Sequence, residues 1–192
     1  NKILLPLGND FFNVNGAGQM TFNGTPQNED TRWSKTFVEA RRLLVELVES
    51  CFMVAPVDIL IVPGNHDKER MFYMGEGLEG WFHANPNVKV DNGAKRRKYY
   101  PFGKNLIGFT HGSDEKFSQL PSLMAYEVPN LWAQAVNREW HLGDRHHKED
   151  LIHKTFEDRG VIIRLLRSLA ASEEWSYTKG FVGAQRAAES FL

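Results

Sequence analysis

The stretch Val57-Asp58-Ile59-Leu60-Ile61-Val62-Pro63-Gly64-Asn65-His66-Asp67 decides how this chain folds. Val57, Ile59, Leu60, Ile61 and Val62 make a nearly continuous apolar run, the pattern of a buried strand, and Pro63-Gly64 adds a turn signal. An amide, an imidazole and a carboxylate follow at once. In an open α/β sheet, ligands lie in the crevice beyond the carboxyl ends of the strands. Residues able to ligate a metal and move a proton therefore stand where a site belongs. The stretch points to a metal-dependent hydrolase whose remaining ligands come from elsewhere in the chain.

Upstream, Ile3, Leu4, Leu5 and Leu7 read as a short strand made imperfect by Pro6, ending at Gly8-Asn9-Asp10. Residues Asn13 to Asp30, rich in Gly, Asn, Thr and Gln, read as a rim loop of a length that is usually functional or mobile. With Asp30 or Thr31 as cap, Trp33, Phe37, Ala40, Leu44, Leu47, Val48 and Cys51 recur at helical spacing, to about Val54. Trp33, Phe37 and Leu44 are expected in the core. A helix between two apolar strands is a βαβ unit with parallel strands, so Asp10 and Asn65 should emerge on one sheet edge.

Downstream, Lys68 to His83 should contain a short helix. Asn87 to Asn92 and Lys95 to Phe102 read as strands joined in a hairpin by Asp91-Asn92-Gly93. Asn105 to Thr110 is a further strand ending at His111-Gly112, and Leu120 to Val136 a helix bent near Pro129. Val161 to Leu166 reads as a last strand and Gly183 to Leu192 as a helix. No repeat, low-complexity tract or linker interrupts the chain, so a single domain over residues 1–192 is expected.

Composition narrows the class. The 192 residues are 42% hydrophobic and 24% charged, ordinary for a soluble globular protein. No apolar run approaches the ~18 residues of a membrane span, and no signal peptide is visible, so no membrane partner is expected. Cys51 is the sole cysteine and sits on an apolar helical face. A reducing, cytoplasmic setting is the expectation. A net charge of -1 argues against a generally basic nucleic-acid-binding surface. Lys95-Arg96-Arg97-Lys98 with Tyr99-Tyr100 leaves a local contact with a phosphate backbone open, the alternative being the solvated face of a hairpin.

Four strand ends carry ligand-type residues: Asp10, Asn65, His111 and the pair Asp144 and His146. A thiolate-free set of carboxylate, amide and imidazole suits Mn, Fe, Zn or Mg better than a structural zinc site. Two such metals a few ångströms apart would clamp a phosphoryl group and generate hydroxide at neutral pH.

The order of these motifs resembles the calcineurin-like metallophosphoesterases, which include phosphatases, cyclic-nucleotide phosphodiesterases and DNA-repair exonucleases. Gly64-Asn65-His66-Asp67 matches that family's Gly-Asn-His-Asp/Glu element, and Thr110-His111-Gly112 fits its lone histidine. The resemblance spans Gly8 to His147. It implies an αββα sandwich of two mixed sheets flanked by helices, with a dinuclear centre of two divalent ions, Mn first among the candidates. Asp10 would bridge the metals, Asn65 and His111 would bind the second, and His146 the first. His66 would act at the leaving-group oxygen, with Asp67 orienting its ring. The implied reaction is hydrolysis of a phosphodiester or phosphomonoester substrate, nucleic acid among them, by metal-bound hydroxide.

Three departures accompany the resemblance. Asn9 is inserted in the Gly-Asp element, Asp144 stands at a usual histidine position, and no Asp-x-His precedes Asp10. The last implies a truncated start and a sheet lacking its first strand. The alternatives are a small-molecule phosphatase, or a non-catalytic binding subunit that has lost metal ligands. No substrate-contacting residue is assigned.

Overall fold

Val57–Val62 forms strand β2, the middle of a three-stranded sheet, between β1 (Ile3–Gly8) and β3 (Val88–Asp91). Both pairings are parallel, with Gly8 opposite Val62 and Val57 opposite Val88. A strand in that position is covered on both faces, which is why its apolar run barely alternates. Pro6 is tolerated because, among the described residues, β1 has only β2 as a neighbour in this sheet. In the computed structural model the described residues are 1–27, 29, 32–143, 155–169 and 186–191. The chain divides into two compact units, Asn1–Lys98 and Tyr99–Leu192.

In the first unit, helix α1 (Trp33–Phe52) crosses from β1 to β2 and α2 (Lys68–Phe82) from β2 to β3. Leu44, Val45 and Val48 of α1 and Met71, Met74, Leu78 and Phe82 of α2 close a core over Leu7, Ile59 and Ile61. Phe37 packs against that core, but Trp33 is 51% exposed, so the expectation of a core tryptophan is corrected. The predicted short helix after Asp67 extends over the whole of α2.

The second unit carries a mixed five-stranded sheet in the order β4 (Lys98–Phe102), β5 (Asn105–Thr110), β6 (Asn137–Leu142), β8 (Val161–Leu165), β7 (Thr155–Asp158). Strands β5, β6 and β8 run parallel and β7 antiparallel. Helices α3 (Leu120–Glu127) and α4 (Pro129–Gln134) follow a 3-10 turn at Phe117–Gln119, with Pro129 opening α4, the break the sequence predicts. Trp140 is fully buried among Leu106, Leu120, Met124 and Ile163, and its indole Nε1 donates to the Leu120 carbonyl at 3.0 Å. The general α/β arrangement, two sheets flanked by helices, is thus present.

Two local expectations are corrected. Asp91-Asn92-Gly93 does not close a hairpin, since β3 and β4 belong to different sheets. Asn92 is instead buried and its amide nitrogen donates to the Phe72 carbonyl at 3.0 Å and to Glu76 at 2.8 Å, tying β3 to α2. The hairpin falls between β7 and β8, where Arg159 and Gly160 have φ of 52° and 74°, both positive as a two-residue type I′ turn requires. Residues 186–191 are not helical, and the rest of the predicted terminal helix lies outside the described residues.

Trp140 gives the second unit its test. Trp140→Ala is expected to lower unfolding free energy by about 3–5 kcal/mol, read as a shift of the urea midpoint. A shift under about 1 kcal/mol would contradict the packing described.

Candidate functional site

The parallel pairing of β1 and β2 delivers the Gly8–Asn15 and Pro63–Glu69 loops to one sheet edge, as their sequences suggest. At this edge the backbone is forced. Gly8, Asn9 and Asp10 have φ of 125°, 56° and 63°, three successive residues in a region that favours glycine. A side chain at Gly8 would lie 2.0 Å from the Val62 carbonyl oxygen. Gly64 is equally constrained, since a Cβ there would stand 1.9 Å from Asp10 Oδ1 and 2.4 Å from the Asp10 nitrogen. The two loops approach that closely because Gly64 has no side chain.

Hydrogen bonds stitch them together. Asp10 Oδ1 accepts from the His66 amide at 2.8 Å. Asp67, completely buried, accepts from the Phe12 amide at 2.9 Å through Oδ2 and from the Gly64 amide at 3.1 Å through Oδ1. Asn15 and Glu69 exchange a further pair: the Glu69 amide donates to Asn15 Oδ1 at 2.8 Å, and Asn15 Nδ2 donates to Glu69 Oε2 at 2.9 Å. The Phe22 amide donates to the Asn65 carbonyl at 3.2 Å, drawing in the long rim loop. That loop is anchored by buried Phe12, Val14 and Thr21.

His66 Nδ1 lies 2.9 Å from the Asn13 carbonyl oxygen. A carbonyl only accepts, so Nδ1 carries the proton of this contact. The ring is therefore oriented by a backbone carbonyl, while two backbone amides occupy the Asp67 carboxylate.

Asp10, Asn65, His66 and Asp67 are thus brought together in the first unit. His111 is buried at the end of β5 in the second unit, where its carbonyl accepts from the Gly143 amide at 3.1 Å. Asp144 and His146 lie outside the described residues. Among the described residues no group of three or more His, Cys, Asp or Glu could hold a metal ion. Asp10 Oδ1 accepts from the His66 amide of the neighbouring loop, Asp67 accepts from Phe12 of the Gly8–Asn15 loop and from Gly64 of its own, and His66 directs Nδ1 to a carbonyl. With no metal-holding group among the described residues, the expectation of two divalent ions, Mn or else Fe, Zn or Mg, is corrected.

Comparison with protein-family models, with curated proteins and with solved structures finds no match. The likeness to calcineurin-like metallophosphoesterases therefore rests on short motifs alone and is withdrawn. With it go the metal-dependent hydrolase and the phosphodiesterase or exonuclease activity that it implied. No helix among the described residues is long and apolar enough to cross a membrane. The basic run is also less available than its sequence suggests. Lys98 is buried, with its ammonium on Asp91 Oδ1 at 2.9 Å and on the Gly93 carbonyl at 2.6 Å.

A second polar group escaped the sequence motifs. Glu139, His141 and Arg164 come together on adjacent strands β6 and β8, with Glu139 Oε2 accepting from Arg164 Nε and lying 3.3 Å from His141 Nε2. The Phe109 and Phe191 rings lie 5.3 and 4.9 Å from that of His141. Burial pushes the His141 imidazole below the ordinary histidine value; Arg164 adds to the decrease, while Glu139 and Glu189 oppose it without reversing it. Burial pushes Glu139 up, but its hydrogen bonds to Arg164 and His141 and their charges outweigh this, so its carboxyl ends below its usual range. No motif spacing could have revealed this group, because Arg164 comes from a separate strand.

Two outcomes follow. Asp67→Ala orphans two amides of a buried site and is expected to cost about 2–6 kcal/mol, at about 1–3 kcal/mol for each unsatisfied group. Asp67→Asn, which keeps one acceptor oxygen, should lose less. Thermal unfolding of both variants checks the ranking, and equal stability with wild type would contradict it. For pH, a folded-state value below the unfolded one means stability present above the unfolded pKa and lost as pH falls. For His141 that loss begins near pH ~6.5 and for Glu139 below about 4.3. The urea midpoint should fall between about pH 7.5 and 5.5, and His141→Gln should flatten that decline. A flat wild-type profile across the window would contradict the histidine's burial in its neutral form.

Proposed function

We propose that the chain is a non-catalytic binding unit whose working surface is the rim where β1, β2 and β3 end. The observation that supports this most is the use made of Asp10 and Asp67. Their carboxylates accept backbone amides that lock one rim loop onto the other. In this role Asp10, Asn65, His66 and Asp67 are positioning residues that hold a preorganised edge. Left-handed backbone is uncommon outside glycine, and Asn9 and Asp10, of the residue types that tolerate it best, adopt it in succession. Such strain persists where surrounding structure over-determines it, and it concentrates at binding edges. The edge also lies where parallel α/β sheets receive ligands, beyond the carboxyl ends of the strands. A single, half-buried free cysteine is compatible with the cytoplasmic setting that belongs to this proposal.

The test is direct. The full chain, incubated with Mn(II) and passed over a desalting column, is expected to retain no stoichiometric metal. It should release no nitrophenol from bis-p-nitrophenyl phosphate or p-nitrophenyl phosphate above the buffer rate. Mn-dependent turnover that disappears in Asp10→Ala would overturn the proposal.

A further inference from the structure

Beside the stitched loops, a cavity of about 360 Å³ opens at the ends of β2 and β3. Its walls are Phe22, Ile61, Pro63, Phe72, Tyr73 and Ala94, with Lys68 and Glu69 at the start of α2. The volume falls in the lower part of the ~300–1,000 Å³ range of small-molecule sites. Three of its aromatic rings remain substantially exposed: Phe22 at 43%, Phe72 at 40% and Tyr73 at 55%. Phe72 and Tyr73 lie 6.3 Å apart with planes at 67°, so together they offer a face and an edge. Aromatic ligands pack well against that combination.

The charges at the mouth differ in their availability. Glu69 already accepts through both oxygens, from the Tyr73 hydroxyl at 2.7 Å and from Asn15 Nδ2 at 2.9 Å. The Tyr73 phenol, its pKa raised by that hydrogen bond and by the Glu69 charge, stays protonated and keeps donating. Lys68 differs. Its ammonium stands 4.7 Å from the centre of the Phe22 ring, and among the described residues no carboxylate is paired with it. A cationic ligand would meet this ammonium at the ring face it would need for itself. An anion would gain a charge-assisted partner.

We infer that this cavity binds a planar aromatic molecule bearing an anionic group, of the aryl carboxylate class, with the ring against Phe72 and Tyr73 and the anion on Lys68. The assignment rests on the proposed binding role of the rim and gives that role a ligand class. The cavity needs no induced opening. Pro63 and Ala94 line it with rigid, apolar surface, and the hydrogen bonds of Asn92 to Phe72 and Glu76 fix its far wall. Preorganisation of this kind lowers the ordering cost of binding.

The experiment compares three probes of matched shape on the isotope-labelled full chain: indole-3-acetate, indole and tryptamine. Amide shifts are followed at Phe22, Lys68, Phe72, Gly93 and Ala94. Indole-3-acetate should bind most tightly, indole more weakly and tryptamine least. Lys68→Gln should weaken indole-3-acetate about three- to tenfold while leaving indole unchanged. Phe22→Ala should weaken both. Tryptamine binding tightest, equal affinity for indole and indole-3-acetate in the wild type, or no localised shifts at millimolar probe would each overturn the assignment. Because the Mn-dependent phosphoester assay uses the same preparation, its outcome reports separately. Turnover there would strike the binding-unit proposal, whereas missing shifts strike the ligand class alone.

Discussion

A single buried carboxylate holds the loops at the first unit's strand-end edge in place. Asp67 joins two segments distant in sequence by accepting one amide from Phe12 and one from Gly64. Buried charge is tolerated only when its lone pairs are met by donors, and the Phe12 and Gly64 amides are two such donors. Other features of the edge depend on this tie. Gly64 must lack a side chain for the loops to approach, and Asp10 can then reach the His66 amide. The left-handed turn at Asn9 and Asp10 is kept in place by the same contacts.

The fold was legible where its physics is local. The unbroken apolar run at Val57–Val62, the Leu44–Val48 stripe and the Pro129 break each reflect a pattern within a few residues of itself. Their elements appear close to the expected bounds. What failed depended on distant partners. Asn92-Gly93 carries the strongest short hairpin signal in the chain, yet Asn92 is drawn away by Phe72 and Glu76 of α2. Arg159-Gly160 makes the actual turn with a weaker signal, because the β7–β8 pairing imposes its conformation. Trp33 fits a helical apolar stripe but sits at the first turn of α1, beyond the reach of the core.

The site was legible as a place and misread as a chemistry. The residues Gly64-Asn65-His66-Asp67 do lie at a strand's carboxyl end, beside Asp10, as parallel topology requires. A motif names residue types, however, and not the partners their atoms take. Carboxylates suited to a metal are equally suited to backbone amides, and here Asp10 and Asp67 accept from the amides of His66, Phe12 and Gly64. The aromatic cavity next to them escaped motif reading for the converse reason. Phe22, Phe72 and Ala94 come from three separate segments and share no spacing that a linear pattern could reveal.

The amide exchange rates of Phe12, Gly64 and His66 in the full chain test this account most directly. With no divalent cation added, all three should be protected from hydrogen–deuterium exchange, and titration with Mn(II) should leave their rates unchanged. Exchange at the rate of exposed loop amides, or protection that arises only when Mn(II) is present, would contradict it.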